Sequence, residues 1–132
     1  MADMMQFDLV SPERMLASFE ASEIEIPGAE GDFTAMANHA AVITTLRPGL
    51  IKAKGASEVA EYVVTGGFVE VNTKSTSVLA ENAVPRAEMT RATIDEMVAE
   101  AEAAAKDASG AAKDAADKRT ADIKALGELL GL

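Results

Sequence analysis

The chain has 132 residues with 22 acidic against 12 basic side chains, a formal net charge of −10 at pH 7, and no cysteine. That length holds one ordinary domain, or a compact domain of about 85 residues with a short appendage, but not two full domains. The acidity opposes binding to phosphate backbones and anionic lipid, and the lack of thiols removes disulfides and thiolate metal sites and fits a reducing compartment; the expected partners are proteins.

The opening MADMMQFDLV lacks the basic flank of a signal peptide, and no run approaches the roughly 18–20 apolar residues of a membrane span. A soluble, unprocessed protein is expected. Up to Pro85, apolar residues tend to recur at every second position: Ile24 and Ile26 against Glu23 and Glu25, Ile51 and Ala53 against Lys52 and Lys54, Val69 and Val71 against Glu70 and Asn72. This alternation predicts half-buried strands. Turn signals fall at Pro27-Gly28, Pro48-Gly49, Gly55 and Gly66-Gly67, a spacing that predicts short antiparallel strands joined mostly by hairpins in a sandwich or barrel. With one Tyr and no Trp, the core relies on aliphatic residues, and Phe7, Phe19, Phe33 and Phe68 are the expected large fillers.

Residues 26–49, IPGAEGDFTAMANHAAVITTLRPG, interleave Gly, Pro and Asn with Val, Ile and Thr. They read as a sheet-and-loop system that presents a surface rather than a pocket. The segment holds the single histidine, His39, and the acidic turn Glu30-Gly31-Asp32, both expected in loops, where binding function concentrates.

After Pro85 the period becomes helical. Ile94, Met97, Val98, Ala101, Ala104, Ala105 and Ala108 follow the i, i+3, i+4 rule, with either Thr93 and Glu96 as a capping box or Thr90 as the start. Ser109-Gly110 breaks the pattern, and Ala112, Ala115, Ala116, Ile123, Leu126, Leu129 and Leu130 make a second stripe. The reading is mainly β: an N-terminal sandwich over residues 1–85 and an α-helical hairpin over residues 86–132. Ala supplies ten of the nineteen residues from 99 to 117; because each buried methyl is worth only on the order of 0.8 kcal/mol, docking of this tail should be weak.

The inventory for catalysis is thin. His39, Asp32 and Ser11 lack the elbow motif of a nucleophilic triad, and Glu30 and Asp32 have no ligand-spaced third group for calcium. GxxxxGKS/T and GxGxxG phosphate loops are absent. No enzyme activity, metal or cofactor is expected.

The ordered set FDLVSPER, IPGAEGDFTAMANHA, LRPG, GGFVEV and VLAENA ahead of a helical hairpin resembles the epsilon subunit of bacterial F-type ATP synthases, which corresponds to the mitochondrial delta subunit. The resemblance implies a β-sandwich followed by two helices, at the foot of the rotating central stalk. It implies a non-catalytic subunit that clamps the gamma subunit to the c-ring and couples proton translocation to ATP synthesis, peripheral on the cytoplasmic face of the bacterial inner membrane. The alternative is a regulatory inhibitor of ATP hydrolysis acting through its C-terminal helices, with Lys113, Lys118, Arg119 and Lys124 toward the catalytic alpha and beta subunits. By resemblance Glu30, Gly31 and Asp32 contact the c-ring, with Asp32 at the acidic position of the family, and Ser11, His39 and Ile43 face the gamma subunit. Asn38 and Ala41 depart from the family's Gly-His-Ala-Pro motif, but Asn tolerates the left-handed backbone of a glycine. The ATP motif of some members is degenerate: Ile94, Asp95 and Ala99 match, while Val98 replaces its arginine, so no nucleotide binding is expected.

Overall fold

The computed structural model describes residues 3–132, which divide into two compact units, the first ending at Ala87 and the second spanning Glu88–Leu132. The first is a sandwich of ten strands: β1 (Met5–Val10), β2 (Met15–Ala21), β3 (Glu23–Gly28), β4 (Gly31–Met36), β5 (Val42–Leu46), β6 (Gly49–Lys54), β7 (Val59–Val64), β8 (Gly67–Val71), β9 (Ser75–Ala80) and β10 (Ala83–Pro85). The strands pair in the order β10-β7-β6-β3-β5-β8-β9-β1-β2, with β4 added on the free side of β3. Hairpins join β1 to β2, β3 to β4, β6 to β7 and β8 to β9, four of the nine connections rather than most of them. Gly55 marks one, whereas Pro48-Gly49 and Gly66-Gly67 lie between strands that do not pair, because there the chain crosses to another part of the sheet. One pairing is different: β1 runs parallel to β9, a partner some seventy residues away that no local pattern reveals.

The alternation places Ile24, Ile26, Ile51, Ala53, Val69 and Val71 in the buried core around Phe7. Phe7 packs edge-on against Phe19 at 5.4 Å between ring centroids and against Tyr62 at 6.5 Å. Phe19 and Phe33 are partly buried at the margin of this core. Phe68 is not a filler: it is 58% exposed. Gly67, Val69 and Val71 take the inward positions of β8, so the period of two sends Phe68 outward.

The turn expected at Pro27-Gly28 lies two residues further on. Pro27 and Gly28 finish β3, paired with Asp32 and Gly31, and the chain reverses at residues 29–30. Proline is tolerated here because the ladder to β6 stops at Glu25 and the contact with β5 begins only at Gly28, so the missing N–H falls where no ladder bond is made. The proline ring dictates its neighbour: a Cβ on Gly49 would sit 2.6 Å from Pro27 Cβ. At Gly67 the backbone has φ +126°, and a Cβ would lie 2.1 Å from the Leu79 carbonyl oxygen, which excludes any side chain.

The second unit is a helical hairpin. After a 3-10 turn at Arg86–Glu88, α1 spans Arg91–Asp107 and α2 spans Ala111–Leu129. Thr90 is the N-cap, its hydroxyl accepting from the Thr93 N–H at 3.2 Å; Thr93 lies inside the first turn. The seam carries Ile94, Ala101 and Ala105 from α1 and Thr120, Ile123, Leu126 and Gly127 from α2. Ala104, Ala112, Ala115 and Leu129, expected on the stripes, are exposed. On a 3.6-residue helix Leu130 aligns with Ile123 and Leu126, whereas Leu129 falls beside them. Thr120, whose polarity masks its position on the face, is buried with its hydroxyl donating to the Ala116 carbonyl at 3.0 Å.

Two outcomes test this packing. A fragment of residues 1–87 folds alone, with a β-type circular dichroism spectrum and a cooperative thermal transition; a disordered spectrum would show that the sandwich needs the tail. Gly49→Ala lowers the unfolding free energy by about 1–3 kcal/mol, the range for overpacking a filled site, read from a shift of the denaturation midpoint.

Candidate functional site

The register fixes two ends of the sandwich. Gly28 pairs with Gly31 and Leu46, Gly49 with Val64, Gly67 with Ala80, and Val10 with Leu79. The turns at residues 11–14, 29–30, 47–48, 65–66 and 81–82 therefore share one end, the tip end. Residues 37–41, 55–58 and 72–74 share the other.

Glu30 and Gly31 lie at the apex of the β3–β4 hairpin, with Asp32 as the second residue of β4. Asp32 is not a bare surface acid. Its carboxylate is paired with the Arg47 guanidinium, which also donates from Nη1 to the Gly28 carbonyl at 2.5 Å. Ser11 occupies the β1–β2 turn, where its N–H and hydroxyl both donate to the Arg14 carbonyl, at 2.9 and 3.3 Å. His39 is at the opposite end, since the six residues of β4 run away from the tip. Its N–H donates to the Met36 carbonyl at 3.0 Å, Nδ1 lies 2.6 Å from the Ala40 carbonyl oxygen, and its ring is 6.4 Å from that of Phe33. Before it, Asn38 takes the left-handed backbone with φ +69°, and its amide donates to Asp3 at 3.3 Å. Glu30 and Asp32 are thus brought together while His39 is not, and His39, Asp32 and Ser11 form no triad.

Ile43 projects from β5 and is 73% exposed. It borders a feature the sequence reading missed. Following the ladder across the outer face of the sheet, Thr45 pairs with Phe68, Phe68 with Leu79, Leu79 with Val10, and Val10 with Met15. Phe68, Leu79 and Met15 are 58%, 60% and 59% exposed, and Val10 is half-buried. At the usual strand spacing the row from Phe68 to Met15 runs roughly 14 Å. Met15 joins it through an irregularity: Leu9 pairs with Ala17 but Val10 with Met15, so β2 slips by one residue and points Met15 outward. Ser11 follows Val10 at one margin. The next row begins with Ile43 and is otherwise polar, with Glu70, Ser77, Asp8 and Ser18; the Ser18 hydroxyl donates to Asp8 Oδ1 at 2.7 Å while Gln6 Nε2 donates to both. Each outward Phe or Leu looks locally like an isolated exception; only the register aligns them.

No cluster of three or more His, Cys, Asp or Glu able to hold a metal occurs among the described residues, and no helix among them is long and apolar enough to cross a membrane. Burial, and secondarily the Glu58 carboxylate, raise the Tyr62 hydroxyl above its ordinary value, so it stays protonated at neutral pH as a packing ring beside Phe7. In the tail, Val98 is half-buried, and Asp95 is 4.0 Å from Arg91. Arg91, one turn before the degenerate nucleotide motif, thus already faces the motif's own acid. A cleft of about 790 Å³ between α1 and α2 lies elsewhere on the hairpin, with Lys106, Lys113 and Lys124 offset by Glu102 and Asp117.

Residues 4–86 match the family described as "ATP synthase, Delta/Epsilon chain, beta-sandwich domain". The ATP synthase epsilon chain of Rhodobacter capsulatus is 54% identical over 132 residues, covering the whole of both chains. That of Paracoccus denitrificans is 50% identical, covering all of this chain and 94% of the relative. Among solved structures, a chain of the Euglena gracilis mitochondrial ATP synthase superposes with a TM-score of 0.75 at 22% identity, covering 96% of this chain and 81% of that one. A chain of the Tetrahymena thermophila mitochondrial ATP synthase central stalk and c-ring gives 0.68 at 22% identity, covering 96% of both. A β-sandwich with a helical hairpin, matched over its full length by epsilon chains, makes this chain a member of the ATP synthase delta/epsilon family.

Proposed function

We propose that the chain is a non-catalytic rotor subunit of an F-type ATP synthase, clamping the gamma subunit to the c-ring so that proton-driven rotation reaches the catalytic head without slipping. It works peripherally, on the cytoplasmic face of the bacterial inner membrane. The observation that carries the reading is the exposed row of Phe68, Leu79, Val10 and Met15, bordered by Ser11 and Ile43. An apolar stripe rimmed by polar side chains is the surface of an interface, and two of the three residues that the family resemblance assigns to gamma adjoin it. His39, at the far end of β4, would meet gamma separately. The tip with Glu30, Gly31 and Asp32 is a rigid, polar projection suited to the c-ring, and the Tetrahymena neighbour belongs to an assembly described as central stalk and c-ring.

A regulatory role for the tail has less support. Lys113 lies 3.5 Å from Asp117 and Lys118 lies 2.8 Å from Asp122, so two of the cations that would meet the catalytic subunits are engaged within α2.

Phe68→Ala and Leu79→Ala each weaken binding to the isolated gamma subunit about 30-fold, the roughly 2 kcal/mol of an interface anchor. Because both side chains are exposed, the unfolding free energy changes by no more than about 0.5 kcal/mol. Unchanged gamma affinity in both variants would remove this face from the interface. Calorimetry of the full chain with millimolar ATP gives no binding heat; a low-micromolar dissociation constant would mean that another group replaces the arginine missing at Val98.

A further inference from the structure

Arg47 ties down the tip through three separate groups. Its N–H donates to the Pro27 carbonyl at 3.0 Å, Nη1 to the Gly28 carbonyl at 2.5 Å, and Nη2 to the Asp32 carboxylate. The Ala29 N–H adds a bond to the Thr45 carbonyl at 2.9 Å. One residue of the β5–β6 turn thus holds the last two carbonyls of β3 and the second side chain of β4, bracketing the two residues of the reversal. The Arg47 side chain is 27% exposed and that of Asp32 75%, so the cation lies beneath the anion.

A carboxylate in contact with a guanidinium presents a dipole rather than a charge to anything approaching from outside, and its field decays faster with distance. Glu30 differs. It is exposed at the apex and has no ion-pair partner among the described residues. Within the β3–β4 hairpin and Arg47, two carboxylates and one guanidinium leave one net negative charge, and geometry places it on Glu30.

We infer that the charge this tip offers the c-ring is that of Glu30, with Asp32 held as the counter-ion of Arg47 and Arg47 acting as the positioning residue. The inference rests on the rotor reading above and names the chemistry of that contact: a cationic or hydrogen-bond-donating ring loop that receives a single, rigidly presented carboxylate. It narrows the assignment by resemblance, in which Glu30, Gly31 and Asp32 all contact the ring, and moves the charge from the family's acidic position, Asp32, to Glu30.

The test measures binding of the full-length chain to purified c-ring in lipid nanodiscs, at low salt and at about 1 M, where the screening length falls to about 3 Å. Glu30→Gln weakens binding about fivefold at low salt, as expected for one water-screened charge pair, and the difference vanishes at high salt. Asp32→Asn stays within about twofold of wild type. In an Arg47→Gln background, where the Asp32 carboxylate is released, Asp32→Asn changes binding several-fold, and amide exchange at Ala29 and Glu30 accelerates while β6 remains protected. A purely structural role for Arg47 would leave Asp32→Asn equally silent in both backgrounds and would overturn the positioning assignment. Asp32→Asn weakening binding in the wild-type background as much as Glu30→Gln would overturn the inference and leave the rotor reading standing. If no tip variant alters binding to the ring, both the inference and the ring contact fail.

Discussion

The sandwich depends on how one edge of β3 is divided. Residues 23–25 pair with β6, Gly28 pairs with β5, and nothing pairs between them. Through that split the two halves of the sheet, β10-β7-β6 and β5-β8-β9-β1-β2, are joined at a corner instead of continuing as a flat ribbon. Pro27 sits at the corner, where a missing donor costs no ladder bond, and its ring takes the space that a side chain at Gly49 would fill. The opposite edge of β3 pairs with β4 along its whole length, so the acidic tip is an extension of the strand that joins the halves. The corner therefore sets both surfaces: it carries the tip, and it turns the outer face of β5-β8-β9-β1-β2 away from the core.

The legible part of the fold is what local periodicity encodes. Strands such as β6 and β8 alternate inward aliphatic residues with Lys52 or Glu70, and the break between two alanine-rich stretches fits only a helical hairpin. Pairing over long distance is not encoded locally, which is why the parallel β1–β9 ladder was invisible. Boundaries suffered where one residue type has two uses: Pro27-Gly28 reads as a turn because proline and glycine usually make one, and it ends a strand because an unpaired edge tolerates both. Phe68 misled for a similar reason, since size suggests burial whereas its place in the β8 alternation demands exposure.

Of the candidate site, the tip was legible and the face was not. Glu30-Gly31-Asp32 announces a turn by composition, and the family motif singles it out. Arg47 gave no signal, because nothing in LRPG shows that its guanidinium reaches back fifteen residues to Asp32. The apolar row is distributed as single residues of β1, β2, β8 and β9, each flanked by polar neighbours, and exists only in the register. Asn38 was readable from the resemblance together with chemistry: the family's motif has glycine there, which implies the left-handed backbone, and asparagine supplies it at φ +69°.

The two units differ in the surfaces they present, and that difference is what the proposed rotor role rests on. In the tail, exposed Lys113 and Lys118 find acids one turn away, and the seam closes on small groups. Gly127 lets Ile94 Cγ2 approach to 3.0 Å from where a Cβ would stand, a closeness that costs about 1 kcal/mol of helix propensity relative to alanine. A helix that accepts such a cost to seat its neighbour is adapted to the closed hairpin. The sandwich has an aligned apolar row in water on one face and, at the apex of the β3–β4 hairpin, the Glu30 carboxylate without an ion-pair partner among the described residues. Burial of the row supplies non-directional affinity that holds whatever the rotor angle, while the tip charge adds orientation at a screened, salt-sensitive contact. In the proposed rotor role, a part that stays attached to a turning shaft needs the first, and a part that does not slip against a ring needs the second.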